Sequence, residues 1–322
     1  MEYMLSKAKL MLRFSRVRVT SQENGRNLVS SKLSLLFEEG LFRTVNSLGI
    51  ALAPLPLPIW KGCGVCLTTF PGREVSASLT LRSLRRQLLR PEKIFLSLNE
   101  EDYPDRKIGE PLQGEVLRSR AQIIWDSGNI GPFTKLVPAL PTLRGSGLSA
   151  VTVDDDASYT PSFLWELRRL SQSYPGEICG LRGWSIPSMR DGWVPYIKWE
   201  PLDSSSTGRS VAKSPSVFLT GVGGVFYPPH FLKSHYLDDR SQFMKISADN
   251  DDIWFWAVAR KHHIPSVFRR PRVRPHYRPL PKPPGAKELY PVNRGGGGAD
   301  RAFFAVRDRF GWVTSEEGPL ER

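Results

Sequence analysis

Short apolar runs alternate along this chain with segments whose apolar residues recur every three or four positions. Gly64–Phe70 (GVCLTTF) is apolar and β-branched and stops at Pro71-Gly72, which predicts a buried strand ending in a turn. Val75–Leu89 carries Leu81, Leu84 and Leu88 at helical spacing among Arg82, Arg85 and Arg86, and Pro91 closes that helix. Lys93–Leu98 (KIFLSL), Gln122–Trp125 (QIIW) and Ser149–Val153 (SAVTV) read as further strands, and Cys179 in EICGL as a buried strand residue. Pro161 suits the first turn of a helix whose Phe163, Leu167 and Leu170 share one face. Ile253, Trp256, Ala257 and Arg260 supply one more helical period. Strand, helix, strand, helix in this order predicts an α/β protein with a mostly parallel central sheet.

The same reading divides the chain into three. Residues 1–60 form an N-terminal extension ending in Ser47–Trp60, which Pro54, Pro56 and Pro58 make an extended surface linker. Residues 61–270 form the compact body, and 271–322 a basic Pro- and Gly-rich region whose RGGGGAD tract from Arg294 is a flexible turn or linker. In residues 1–20, Leu5, Leu10, Leu12, Phe14 and Val17 interleave with Lys7, Lys9, Arg13, Arg16 and Arg18. That segment is either a poorly ordered terminus or a basic amphipathic helix suited to an anionic membrane surface.

Composition narrows the function. The 322 residues are 40% hydrophobic and 11% aromatic, which supports a sizeable core and excludes a disordered chain. Three cysteines do not make a disulfide framework. Cys63 and Cys66 fit C-x-x-C, but Cys66 leads straight into a strand pattern, whereas redox chemistry needs the first thiol exposed at a helix N-terminus. No apolar run approaches a membrane span and no secretory pattern opens the chain, so a cytoplasmic location is expected, with membrane association through the basic flanks. Lys and Arg exceed Asp and Glu by 45 to 32, a net charge of +13. Such an excess attracts phosphate as nucleic acid, anionic lipid or an activated diphosphate. With no helix-turn-helix, zinc-finger or RRM pattern, no nucleic-acid partner is expected.

Two acidic groups carry the candidate chemistry. Asp154, Asp155 and Asp156 follow the strand SAVTV directly, and ligands of open α/β sheets bind at the carboxyl ends of strands. Three adjacent carboxylates repel one another unless a cation neutralises them. Asp154 and Asp156 suit one divalent ion that also bridges phosphate oxygens, either Mg²⁺ or Mn²⁺; the plainer alternative is an acidic cap on the following helix. Asp249, Asp251 and Asp252 form the second group, at the entrance to the helix that carries Ile253 and Trp256. One of them is placed to take a proton from a hydroxyl, or else to serve as the helix cap. Trp254, Phe255 and Trp256 are core or a platform for a sugar face, with core expected for at least two. Leu219–Pro229 (LTGVGGVFYPP) is a tight loop of close backbone approach that matches neither G-x-G-x-x-G nor a P-loop.

In order, LTTFPGR, SLRRQLLRPEKIFLSL, TKLVPAL, VTVDDDASYTPSFL, LTGVGGVFYPP and NDDIWFWA resemble bacterial glycosyltransferases of the GT-A fold, from about Val65 to Ala259. The resemblance implies a single Rossmann-type domain and transfer of a sugar from a nucleotide-sugar donor to a glycan or lipid-linked acceptor, in surface polysaccharide or lipopolysaccharide synthesis. It implies that Thr68, Thr69, Pro71 and Arg73 border the nucleotide and that Lys135 lies close to the donor. Asp154 and Asp156 match the Asp-any-Asp motif that holds the metal and the donor diphosphate, with Asp155 positioning ribose or sugar. Gly221, Gly223 and Gly224, with Tyr227 and Trp254, would shape the acceptor side. Asp251 or Asp252 matches the acidic pair that supplies the base, and His276 is the candidate for a third protein ligand to the metal. Two rivals stand beside this reading: a metal-dependent phosphoryl-transfer enzyme or nuclease using the same acids, and a non-catalytic binding module of the same fold.

Overall fold

The protein is described by a computed structural model, which covers residues 56–187, 194–202, 211–281 and 297–311, with isolated positions between 40 and 51 and at 293. The first half alternates regularly: β1 (Ile59–Thr68), α1 (Glu74–Arg85), β2 (Arg90–Asn99), α2 (Glu110–Ser119), β3 (Gln122–Asp126), α3 (Leu140–Ser146), β4 (Ser149–Thr152). Next come β5 (Ala157–Tyr159), α4 (Phe163–Ser173), β6 (Ile178–Gly180), β7 (Gly183–Ser185), β8 (Glu200–Pro201), β9 (Val211–Ser214), β10 (Val217–Leu219) and β11 (Val225–Tyr227). The chain closes with α5 (Pro229–Leu232), α6 (Arg240–Ser247), α7 (Asp251–Lys261), β12 (Ser266–Arg269), β13 (Tyr277–Pro279) and α8 (Gly298–Phe310).

Eight strands make one sheet in the order β3-β2-β1-β4-β11-β6-β12-β9. β3, β2, β1 and β4 are parallel neighbours and β6 pairs parallel with β12, while β11 runs antiparallel between β4 and β6. This is an α/β protein with a large, mostly parallel central sheet. β1 shows why: Cys63, Val65, Cys66 and Leu67 are all fully buried, as a strand covered on both faces requires. Val65 and Leu67 face a core built with Leu81, Leu84, Leu112 and Leu167, and Cys66 faces the opposite core with Leu143, Phe255 and Phe303. The period of two assigns successive residues to the two layers. Burial pushes the Cys63 thiol up to about 12 and Cys66 higher still, as expected of inert core thiols.

Three features differ from the sequence reading. Helix α2 has no long apolar face, and buries only Leu112, Glu115 and Val116 along its ten residues. Ser47, Gly49 and Ala51 are helical rather than extended, and Gly49 is so close to Pro161 that a Cβ would lie 2.2 Å from its ring. The region after residue 270 is tied to the body. Tyr277 pairs with Tyr159 beside the acidic triplet, and the end of the glycine tract opens α8, whose Ala302, Phe303 and Val306 enter the core. Residues 1–20 lie outside the described residues, and among the described ones no helix is long and apolar enough to cross a membrane.

Phe303 stacks on Trp256 at 5.2 Å and meets the edge of Trp199 at 5.7 Å. Phe303→Ala is expected to lower unfolding free energy by about 3–5 kcal/mol in urea titrations. A loss below about 1 kcal/mol would show that α8 is not part of the folded core.

Candidate active site

The parallel register places the carboxyl ends of β1 and β4 side by side, at Cys66 and Thr152. Beyond them the Val153 amide still donates to the Cys66 carbonyl at 3.1 Å, so the acidic triplet leaves the sheet beside Thr68–Arg73. Its backbone is pinned from three directions. Thr80 Oγ1 of α1 lies 2.9 Å from the carbonyl oxygens of both Asp155 and Ala157. The Tyr159 hydroxyl accepts from the Asp154 amide at 3.2 Å and donates to the Val222 carbonyl at 3.0 Å, joining triplet to glycine loop. The Leu280 amide donates to the Asp156 carbonyl at 2.7 Å.

The chain's own cations answer the three carboxylates. Asp155 is buried and accepts from Thr69 Oγ1 at 2.6 Å, with Arg73 Nη1 at 3.3 Å. The other Arg73 nitrogen, Nη2, bonds Asp156, and its guanidinium lies over Phe70. Burial nevertheless raises Asp155 to about 6 against the pull of Arg73 and Thr69. Asp154 pairs with Lys135 Nζ at 2.8 Å, and the same ammonium lies 3.1 Å from Asp251 Oδ2. Burial disfavours that charge, but Asp154, Asp251 and Asp252 outweigh it and hold the Lys135 pKa well above its ordinary value.

Asn250, not either aspartate, caps α7: its Oδ1 accepts from the Ile253 amide at 3.0 Å. Asp251 and Asp252 are thereby released to face the site from the helix's first turn. Asp251 is buried toward Lys135, whereas the less buried Asp252 receives the Gly221 amide on both oxygens, at 3.1 and 3.0 Å. A Cβ on Gly221 would lie 3.0 Å from Lys135 Nζ and 3.2 Å from both Asp154 Oδ1 and Asp252 Oδ1. At this position a side chain would fill the point where both acidic groups meet. Burial first, and Asp251 beside it second, raise Asp252 to about 7; burial likewise raises Asp251.

Five carboxylates thus face Lys135 and Arg73 with formal negative charge in surplus. Asp154 and Asp156 offer hard oxygens and fit a Mg²⁺ or Mn²⁺ ion in charge and donor chemistry. Among the described residues no group of three or more His, Cys, Asp or Glu is arranged to hold a metal.

Several sequence-based assignments need correction. His276 is buried away from such a role: its Nε2 lies 3.1 Å from the Gly223 carbonyl and its ring faces Phe163, and burial lowers its pKa to about 4. Trp254 is fully buried between Phe243 and Phe310, its Nε1 donating to the Tyr236 carbonyl, so it offers no face to an acceptor. Tyr227 is also core, stacked on Phe231. Gly223 and Gly224 serve packing: a Cβ would lie 2.2 Å from Arg182 Cβ in one case and 2.3 Å from the Phe163 ring in the other, where φ is +78°. Thr68, at the end of β1, is partly buried, and Pro71 just after it is exposed. Tyr159 and Thr80, which fix the triplet, and Asn250, which frees the aspartates, were missed. Of these only Asn250, a cap residue three positions before Ile253, had a legible signal.

No protein-family model and no curated protein sequence matches the chain. Solved structures do: TarS 1-349 of S. aureus aligns with TM-score 0.46 and 14% identity over 80% of this chain. This chain spans 66% of that one's length. Glucosyl-3-phosphoglycerate synthase of M. tuberculosis, in complex with Mn²⁺, UDP and glucosyl-3-phosphoglycerate, aligns with TM-score 0.42 and 11% identity over 84% of this chain and 85% of that one.

Because the folded-state pKa of Asp252 lies above 3.8, the native protein binds that proton more tightly than the unfolded chain. The resulting stability is present at acid pH and is lost as pH rises through about 7. Urea midpoints of the wild type should therefore fall between about pH 4 and pH 7 relative to those of Asp252→Asn. Parallel curves for the two proteins would contradict the assignment.

Proposed function

We propose that the protein is a glycosyltransferase of GT-A type that moves a sugar from a nucleotide-sugar donor to an acceptor hydroxyl. The observation that carries this reading is the convergence of Asp154, Asp252 and Lys135 on Gly221 at the carboxyl end of the sheet. It puts a carboxylate suited to a phosphate-bound cation within a few ångströms of one suited to proton transfer. Asp154 and Asp156 would hold a divalent cation, which when bound neutralises a departing diphosphate.

The remaining chemistry belongs to the chain. Asp252, oriented by the Gly221 amide and only partly buried, accepts the acceptor's proton. The bond from the anomeric carbon to the diphosphate oxygen breaks with its electron pair leaving on the diphosphate, and the acceptor oxygen bonds to the anomeric carbon. A base near pH 7 is well matched to that proton transfer. Asp251 holds Lys135 in place, and Thr69, Arg73 and Asp155 line the donor side next to Thr68 and Pro71. The catalytic unit in this reading runs from β1 through α8, past the boundary that composition suggests at residue 270. The net charge of +13 favours an acceptor displayed on an anionic membrane, a glycan or lipid-linked intermediate of surface polysaccharide.

Turnover assays test the roles of the two aspartates. With a nucleotide sugar that the wild type consumes, Asp252→Asn should lose about 10²–10⁴-fold in kcat with little change in donor affinity. Full activity in Asp252→Asn together with its loss in Asp251→Asn would transfer the base to Asp251.

A further inference from the structure

Lys135 touches both halves of the site. Its Nζ is 2.8 Å from Asp154 Oδ1 on the donor side and 3.1 Å from Asp251 Oδ2 on the helix that carries Asp252. The burial of the three side chains is unequal. Asp154 is 30% exposed, against 8% for Lys135 and 7% for Asp251, so an incoming ion meets Asp154 first and the ammonium lies behind it. An ammonium and a divalent ion cannot both hold the same carboxylate oxygen at contact distance in a buried setting without strong mutual repulsion.

Taking Asp154 as a cation ligand, as the proposed function does, we infer that Lys135 is a built-in competitor for the metal position. Its ammonium satisfies Asp154 in the metal-free protein. A divalent ion gains that carboxylate by taking its place, and Lys135 then remains with Asp251. The exchange has two consequences. Asp154 keeps a counter-charge, and the cluster stays folded, without metal. The ion alone binds weakly and binds well when a diphosphate brings further oxygens and charge, so metal and donor load together. Lys135 is thus a positioning residue whose charge sets the order of assembly.

The test uses Mn²⁺ alone, with no nucleotide, and follows free Mn²⁺ by electron paramagnetic resonance against the full chain. Lys135→Met should bind Mn²⁺ about tenfold more tightly than the wild type, and Lys135→Arg should bind as weakly as the wild type. A distorted site would move the other way, so equal or weaker binding by Lys135→Met overturns the proposal. Arg182→Met, which removes a charge bonded to Thr220 rather than to the carboxylates, should leave Mn²⁺ affinity near the wild-type value. An equal gain there would reduce the effect to general field and also overturn it.

Melting supplies a second readout. In EDTA, Lys135→Met should melt below the wild type, and Mn²⁺ should raise its Tm by more than it raises the wild type's. Should Lys135→Met not fold, Lys135→Gln runs the same comparison; failure of both to fold even in millimolar Mn²⁺ contradicts replacement of the ammonium by the ion. The outcomes separate from those of the proposed function. Turnover of a nucleotide sugar by the wild type with unchanged Mn²⁺ affinity in Lys135→Met defeats this inference alone. Tightened Mn²⁺ binding without any nucleotide binding defeats the glycosyltransferase reading alone.

Discussion

Carboxylates crowded at the end of a sheet destabilise a fold unless each finds a counter-charge, and the whole site here is arranged around that requirement. Asp154, Asp155 and Asp156 are consecutive and leave the sheet at the end of β4, which runs parallel beside β1. Arg73 answers two of them from the loop after β1, and Lys135 answers the third from the turn after β3. Lys135 also reaches Asp251, so α7 is held against the sheet by charge as well as by its apolar face. Removing one partner of such a buried pair typically costs about 3–5 kcal/mol, more than most single substitutions. The fold and the candidate chemistry therefore rest on the same contacts.

Much of the fold was readable from periodicity, because the strands next to the acids are buried on both faces. A continuous apolar run such as Gly64–Phe70 or Ser149–Val153 has few other meanings. Helix α2 escaped because its three buried residues include Glu115, which three arginines neutralise, so no apolar stripe marks it. Helix α8 escaped because a glycine tract precedes it, and glycines read as linker. Gly297 at φ +66° instead forms the helix entrance.

The acids were legible for a different reason. Two clusters of aspartate at predicted strand and helix ends are hard to explain by capping alone, and the structure gives the cap of α7 to Asn250. What the sequence did not separate is site from support. Trp254 lies close in sequence to the candidate acids yet packs inward, since α7 is buried along nearly its whole length, and Tyr227 of β11 is core as well. His276 follows the metal-type acids by more than a hundred residues and is committed to the Gly223 carbonyl. Side-chain direction, which decides these cases, depends on partners that the fold brings in, such as Phe310 against Trp254 and Gly223 against His276, and is not written locally.

In the proposed reading, the acidic cluster under Gly221 receives a nucleoside diphosphate together with a divalent ion. Calorimetric titration of the wild type and Asp156→Ala with a panel of nucleoside diphosphates and nucleotide sugars, each with Mn²⁺ or with EDTA, tests it most directly. One nucleotide is expected to bind in Mn²⁺ but not in EDTA, and Asp156→Ala to lose that binding. Absence of binding by every nucleotide, with circular dichroism showing the protein folded, would contradict the account.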